Sequence, residues 1–170
     1  WLRSSSKHLH MKILIYAHLF GPAPSGVPLS NLELVKGLHA AGFKGLKLWL
    51  GKPAVAKTYG LRLEDDYISG ALKAASDLQM PVLLHLADPP DFWTKRSDGS
   101  SVYTDADGSF ESWIDRGEDL FSRFPDTTFI GAHLLFLAGG IENLNRIMSE
   151  HGRLCLDTAP GRWFYRKLSE

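Results

Sequence analysis

Short apolar runs alternate with amphipathic stretches along the chain. Five runs are almost continuously hydrophobic: 12–18, 45–50, 82–86, 128–133 and 153–157. A strand with one solvated face would instead alternate apolar and polar residues. The pattern is typical of parallel strands that are buried on both faces, and we predict five of them.

The amphipathic stretches predict helices, because their apolar residues recur at the helical spacing of 3.6. The first helix begins after Ser30, which forms a capping box with Glu33, and Gly42 ends it. Further helices are expected at about 64–79, 110–124, 141–151 and 162–169. Loops are expected at 21–28, 51–63 and 87–108.

The apolar positions of three helices identify side chains that we expect to face the core. They are Tyr67, Ile68, Ala71, Leu72, Ala75 and Leu78 in the second helix, Phe110, Trp113, Ile114, Leu120 and Phe121 in the third, and Ile141, Leu144, Ile147 and Met148 in the fourth.

Five βα units in succession predict an α/β protein. A doubly wound sheet and a (β/α)8 barrel both contain such units, and a complete barrel needs about 250 residues. The chain has 170 residues. We therefore expect a partial (β/α)8 TIM barrel, forming a single domain over 1–170 with 1–10 as a lead-in segment. The alternative is a complete flavodoxin-like domain, but two prolines in 21–26 remove N–H donors that a phosphate-binding loop needs.

Composition narrows the classes of partner. Lys plus Arg and Asp plus Glu number 19 each, so no basic surface for nucleic acid or an anionic membrane is expected. No apolar stretch approaches the ~20 residues of a membrane span. Cys155 is the only cysteine, which excludes a disulfide within the chain and argues against a cysteine-based metal site. We expect a cytoplasmic protein that acts on a small molecule, and the sequence predicts no oligomeric state.

Each apolar run carries an ionisable residue at or near its end. In order these are His18, Lys47, His85, His133 and Asp157. In parallel α/β folds the C-terminal strand ends form the functional face, so these groups are expected to converge on one pocket. Imidazoles that bind a divalent metal, with a carboxylate or imidazole that orients or deprotonates water, fit metal-assisted hydrolysis.

Each of these residues also has a structural interpretation. A strand-end histidine is often a hydrogen-bonded structural residue. Lys47 could hold a carboxylate in the interior, and Asp157 could cap the following turn, since Asp-Thr-Ala-Pro is favourable turn chemistry. The recurrence of such groups at corresponding positions favours the functional interpretation.

The loop after His85 adds candidates for substrate binding, alongside His18. Asp88 could contact substrate or brace the histidine. Phe92 and Trp93 could form an apolar wall of the site, or they could pack the loop onto the rim of the barrel. The sequence leaves both alternatives open.

Two further segments have the appearance of metal sites. The pair His8 and His10 has the spacing of a His-x-His ligand pair, but it precedes its strand and so lies at the wrong end of the barrel. The segment 105–108 is similar to a calcium loop. Tyr103 and Ile114 would then occupy positions that need oxygen ligands, so we predict a polar turn there.

Four segments of the chain resemble the amidohydrolase-related family (amidohydrolase family 2). They are 42–49, 81–85, 124–133 and 154–158, with the sequences GFKGLKLW, PVLLH, FPDTTFIGAH and LCLDT. They occur in the order and at the intervals of the family's pattern, and the resemblance runs from about Met11 to the C-terminus.

The resemblance implies a barrel of metal-dependent hydrolases in which the five runs correspond to strands 3 to 7. It implies that His85 binds the catalytic metal, usually zinc and sometimes manganese. His133 would contact the substrate, the bound water or a second metal. Lys47 matches a lysine that is carboxylated and bridges two metals in binuclear relatives, and that is usually a plain lysine in this branch.

The chain also departs from the family's pattern. The His-x-His of strand 1 and the Asp of strand 8, which is the family's general base, have no counterpart here. The domain is therefore expected to be incomplete at both ends and inactive by itself. Where the family often has Gly soon after the strand-6 histidine, this chain has Leu134, Leu135 and Phe136.

Our leading hypothesis is a metal-dependent hydrolase in which metal-activated water attacks an amide, ester or lactone carbonyl. One alternative is a nonoxidative decarboxylase of the same family, acting on a small aromatic or unsaturated acid. Another is a non-catalytic α/β domain whose strand-end groups bind an anionic ligand. A stoichiometrically bound metal would favour the enzymes, whereas a metal-free protein that still binds ligand would favour the binding domain.

Overall fold

Five parallel strands form one sheet, in the order in which they occur in the chain. The structure is a computed structural model that describes residues 12–16, 31–60 and 62–159. The strands are β1 (Lys12–Tyr16), β2 (Phe43–Gly51), β3 (Val82–Leu86), β4 (Phe129–Gly131) and β5 (Leu154–Leu156).

The strand order separates the two fold hypotheses. A flavodoxin-like sheet has the order 2-1-3-4-5, in which the chain reverses direction across the sheet. Here the order is β1-β2-β3-β4-β5, as in consecutive strands of a (β/α)8 barrel, where each crossover adds its strand on the same side. The prediction of a partial barrel is confirmed.

Helices connect the strands: α1 (Asn31–Ala40), α2 (Pro53–Tyr59), α3 (Asp66–Asp77), α4 (Phe110–Arg123) and α5 (Ile141–Glu150). Four of them agree with the predicted helices to within about two residues. The predicted cap at Ser30, the loop 21–28, the lead-in 1–10 and the helix 162–169 lie outside the described residues.

The short helix α2 lies where a loop was predicted. Pro53 occupies its first turn, where a missing N–H costs nothing and the fixed φ suits a helix. Gly60 ends it in the left-handed conformation, with φ of 62°. A helix of seven residues is too short to display the periodicity from which helices are predicted.

The side of the sheet that faces the helices forms the core. Its strand residues are almost fully buried: Leu46, Leu48 and Leu50 of β2, Val82, Leu84 and Leu86 of β3, and Phe129 of β4. The predicted inward residues of α4 are all buried, as are Ile68, Ala71, Leu72 and Ala75 of α3. In α5 only Leu144 and Ile147 are buried, and the prediction for Ile141 and Met148 was wrong, because they are exposed.

The opposite, concave side of the sheet is partly open. Lys47, Leu83, Ile130 and Cys155 form one row across β2 to β5. Trp49, one step further along β2, is 37% exposed, and Cys155 is also exposed. The prediction that both faces are buried therefore holds for the helix side only, because five strands leave the concave face without the opposite wall of a closed barrel.

The long segment 87–108 is ordered by its own contacts. It contains two 3₁₀ turns, Pro90–Phe92 and Asp105–Asp107. The second turn has a capping box in which Thr104 and Asp107 bond reciprocally. This agrees with the predicted polar turn at 105–108.

No helix in the described part of the chain is long and apolar enough to cross a membrane.

Candidate functional site

The C-terminal ends of β3, β4 and β5 bring three predicted site residues together, whereas Lys47, which was predicted near the end of its strand, lies in the middle of β2. Lys47 pairs with Leu83, and since side chains alternate along a strand, Lys47 and His85 emerge on the same, concave face. The imidazole rings of His85 and His133 lie edge to face, with centroids 5.3 Å apart. Asp157 accepts a hydrogen bond from the backbone N–H of His133. The fifth predicted residue, His18, lies outside the described residues.

Lys47 is a buried cation at this face, with 9% of its surface exposed. Burial lowers the pKa of Lys47, and the charge of Asp157 acts in the opposite direction. The negative charge of Asp157 thus offsets part of the cost of burying the lysine. Lys47 also gives the site a positive group that could attract an anionic substrate.

The environment of His85 favours its neutral form. Its Nε2 lies 3.4 Å from Oδ1 of Asp88. Burial lowers the pKa of His85, the contact with Asp88 opposes this, and the charges of Lys47 and His133 lower the pKa further. Because the net shift is downward from 6.5, the ring is neutral at pH ~7 and keeps one nitrogen lone pair for a metal.

Asp88 is a buried carboxylate held by three side chains, and only 3% of its surface is exposed. The hydroxyl of Tyr103 donates to one oxygen, while Lys52 (Nζ at 3.3 Å) and His85 lie against the other. Burial by itself would raise the pKa of Asp88, but the bonds from His85 and Tyr103 and the charge of Lys52 outweigh it, so the pKa lies below its usual value. The geometry matches the bracing role that the sequence offered for Asp88.

Tyr103 and Lys52 were not identified from the sequence. Burial raises the pKa of Tyr103, and its bond to Asp88 raises it further, so the hydroxyl remains a donor. Tyr103 lies 15 residues beyond Asp88, and Lys52 lies on the preceding βα loop. No local sequence signal marks a contact made only when separate segments fold together.

His133 lies two residues beyond β4, in a left-handed turn. The prediction of a strand over 128–133 was wrong at this end, because β4 ends at Gly131. His133, Leu134, Leu135 and Phe136 have φ of 57°, 49°, 55° and 57°. Each non-glycine residue in this region costs roughly 1–2 kcal/mol, so propensity gave no reason to expect four of them in succession.

A hydrogen bond fixes the tautomer of neutral His133. Its Nδ1 lies 3.2 Å from the carbonyl oxygen of Ala159. A carbonyl only accepts, so Nδ1 must carry the proton and Nε2 carries the lone pair. This arrangement of an imidazole braced through Nδ1 is typical of histidines that bind a metal or accept a proton through Nε2.

Two aromatic side chains flank the imidazoles. The ring of Phe136 lies 5.5 Å from that of His85 and 5.2 Å from that of His133. The indole of Trp49 lies 6.3 Å from His85. Trp49 follows Lys47 by two residues, so the period-two rule could have placed it on the same face.

Phe92 and Trp93 make contacts that belong to the loop. The indole N–H of Trp93 donates to the carbonyl of Gly108 at 2.6 Å. Its ring packs on Tyr103 and Phe110 at centroid distances of 4.7 and 5.7 Å, and Phe92 lies 5.9 Å from Tyr103. Of the two interpretations of this aromatic pair, these contacts match the packing of the loop.

A second group of ionisable residues lies at the N-terminal ends of the strands. Ligand atoms of Glu118, Glu150 and His151 all lie within 4.8 Å of one another, beside a cavity of about 500 Å³. Arg146 donates to Glu118 at 2.8 and 2.9 Å and to Glu150 at 2.7 Å. The guanidinium pairs with both carboxylates, so we interpret the group as an ion-pair network between α4 and α5.

The metal-ligand geometry at the C-terminal face is incomplete in the described part of the chain. Among the described residues, the group of Glu118, Glu150 and His151 is the only one whose three ligand atoms lie within 4.8 Å of one another, and it lies at the N-terminal ends of the strands. His85 and His133 could supply two nitrogen ligands from adjacent strands. Further ligands at that face would have to come from outside the described residues.

Comparison with known proteins identifies the fold. No family model and no curated protein matches the chain. A solved structure of an uncharacterized TIM-barrel protein from Bordetella bronchiseptica superposes with a TM-score of 0.53 at 13% identity, over 87% of this chain and 43% of that protein. A 3-keto-D-glucoside 4-epimerase from E. coli matches over 94% of this chain and 87% of its own at 15% identity, but the TM-score of 0.25 is too low to indicate a shared fold.

The first comparison shows that the chain has the fold of a TIM-barrel protein. At this identity the likeness concerns the fold alone. The chain spans less than half the length of that barrel protein. The amidohydrolase-related family that the motifs resemble stays a prediction.

Proposed function

We propose that this chain contributes part of the active site of a metal-dependent hydrolase of the amidohydrolase-related type. Its substrate would be a small molecule with an amide, ester or lactone carbonyl. The observation that carries the proposal is that His85, His133 and Asp157 lie together at the C-terminal ends of the adjacent parallel strands β3 to β5, with Lys47 of β2 on the same face of the sheet. That end is the functional face of TIM barrels.

The donor chemistry of the site fits a divalent metal. Two imidazoles with rings 5.3 Å apart, one of them held neutral by burial, suit zinc, with manganese as the alternative. When bound, the metal would polarise the carbonyl and supply an activated water. His85 and His133 are the residues of this chain that would hold it.

The side chains around the imidazoles have roles in orienting the substrate. His133 has one free lone pair, on Nε2, so it can accept a hydrogen bond from the substrate or from water in place of binding the metal. Protonated Lys47 can attract a carboxylate or a developing negative charge on the carbonyl oxygen. Phe136 and Trp49 offer apolar faces to the rest of the substrate.

The aromatic surroundings favour one second candidate. A cation at Lys47, on the same face as the rings of Trp49 and Phe136 that flank the imidazoles, also suits a planar aromatic acid, the substrate of a nonoxidative decarboxylase. Release of CO₂ from aromatic acids without hydrolysis of esters or lactones would favour this activity. Ligand binding without any metal would favour a non-catalytic binding domain.

Metal binding by the full chain tests the proposal. We expect equilibrium dialysis to show Zn²⁺ bound through the two imidazoles, and His85→Ala and His133→Ala each to lower its affinity by roughly tenfold or more. His39→Ala on α1 is the matched histidine control and should leave the affinity unchanged. Unaltered binding in both site variants, or a loss confined to His151→Ala, would contradict the proposal.

A further inference from the structure

Asp157 contacts His133 through the main chain. Its Oδ1 accepts the backbone N–H of His133 at 2.8 Å and that of Ala159 at 3.1 Å. Its own N–H donates to the carbonyl of Gly131, and its carbonyl accepts the N–H of Leu134, both at 3.0 Å. Asp157 therefore binds Gly131 just before the left-handed turn and both His133 and Leu134 at its start. It also binds Ala159 in its own segment of the chain.

The turn needs such restraints. Four successive non-glycine residues from His133 to Phe136 have positive φ, a conformation that persists only where the surroundings over-determine it. Burial of the Leu135 and Phe136 side chains supplies part of the compensation. The bonds to Asp157 restrain the two residues at which the turn begins.

The same carboxylate also places the partner of the imidazole. By binding the N–H of Ala159, Asp157 holds the segment whose carbonyl contacts Nδ1 of His133. The backbone of His133 and the acceptor for its ring are thus held by a single oxygen atom. A carboxylate oxygen that accepts two N–H groups is fixed in one orientation.

We propose that Asp157 is a positioning residue, whose carboxylate closes the left-handed turn after β4 and thereby aims the His133 imidazole with its proton on Nδ1. The sequence suggested either a catalytic role for Asp157 or a cap of the following turn; the bond to the N–H of Ala159 matches the cap, and the positioning role acts through His133. The consequence for catalysis rests on the proposed function, but the positioning itself does not.

Nitrogen NMR of the metal-free, full-length chain tests this. At about pH 8, where an ordinary histidine is neutral, the ring nitrogens of His133 should show the Nδ1–H tautomer, and its backbone amide should be protected from exchange. An Nε2–H tautomer with an unprotected amide in the unaltered chain would overturn the proposal even if every variant failed to fold.

Substitutions at Asp157 separate its hydrogen-bond geometry from other effects. Asp157→Ala should shift His133 to a mixture of tautomers and speed exchange of its amide by at least roughly fivefold, since the bond is lost. Asp157→Asn keeps an acceptor oxygen and should retain the native tautomer and protection. Asp126→Ala, an exposed aspartate before β4, is the matched control and should change neither.

The outcomes also distinguish this inference from the proposed function. Native tautomer and protection in Asp157→Ala, or their loss in Asp157→Asn, would overturn the positioning role whatever the metal affinity. If the unaltered chain binds no Zn²⁺ while the tautomer of His133 still depends on Asp157, the positioning role stands and the hydrolase proposal fails.

Discussion

The side chain of Lys47 is buried at the sheet, where a charge is unfavourable. Because burial lowers its pKa in the folded chain, the unfolded chain binds this proton more tightly. The resulting penalty is fully present below the folded pKa and is relieved as the pH rises toward the unfolded value of 10.5. Attraction to Asp157 offsets only part of it.

Lys47→Met should therefore stabilise the chain at neutral pH, by a few tenths to about 1 kcal/mol after allowance for solvent screening. The gain should shrink as the pH approaches 10.5. Urea unfolding at a series of pH values measures both effects, with Lys44→Met on the exposed part of β2 as the control. A gain in the free energy of unfolding that grows with pH would contradict this explanation. Loss of the proposed activity in the stabilised Lys47→Met variant would support a role for Lys47 at the site.

The bond between Tyr103 and Asp88 is the buried contact that braces His85. Tyr103→Phe leaves one carboxylate oxygen without its donor and should lower the free energy of unfolding by about 1–3 kcal/mol. Asp88→Asn provides the second arm of a double-mutant cycle. We expect the combined variant to lose less than the sum of the two single losses, and strict additivity would show that the bond contributes nothing.

The sequence predicted the positions of the candidate residues on strands better than the positions of those in turns. Side chains alternate between the two faces of a sheet along each strand, and this fixes the face on which Lys47 of β2 and His85 of β3 emerge. The conformation of His133 could not be predicted, because a run of histidine, leucine and phenylalanine in the left-handed region opposes their own propensity. The bonds that hold Asp88 are long-range and have no local pattern.

Close packing of α4 on β3 depends on Gly117. A Cβ atom there would overlap Cδ2 of Leu86, a fully buried residue. Gly117→Ala should therefore destabilise the chain by about 1–3 kcal/mol despite the better helix propensity of alanine.

The matched control lies in α3. A Cβ atom added to Gly70 would meet nothing within 4 Å, so Gly70→Ala should stabilise the chain by about 0.5–1 kcal/mol. Urea midpoints of the two variants should move in opposite directions. A stabilising Gly117→Ala would mean that α4 lies farther from β3 than the packing of Gly117 on Leu86 requires.

Elements were predictable where their periodicity is long. The twelve residues of α3 and the fourteen of α4 display several helical turns. The strand between them, β3, is bounded by clear breaks in the hydrophobic pattern. The seven residues of α2 are too short for their pattern to separate helix from loop, and the strand predicted over 128–133 is present but only three residues long.

At the scale of the whole molecule, the sheet of the described residues has one covered side and one partly open side. Cys155 lies on the concave row and is exposed. A thiol reagent should therefore modify it in the native chain without denaturant, at a rate close to that of the unfolded chain, with Cys155→Ser as the blank. Strong protection of the thiol would mean that another surface covers the concave face.

We expect Lys47, His85, His133 and Asp157 to surround a single metal site. Paramagnetic broadening by substoichiometric Mn²⁺ in amide NMR spectra locates such a site directly. We expect the signals of His85, His133 and Asp157 to broaden first. Broadening centred on Glu118, Glu150 and His151, with the C-terminal face unaffected, would contradict the claim.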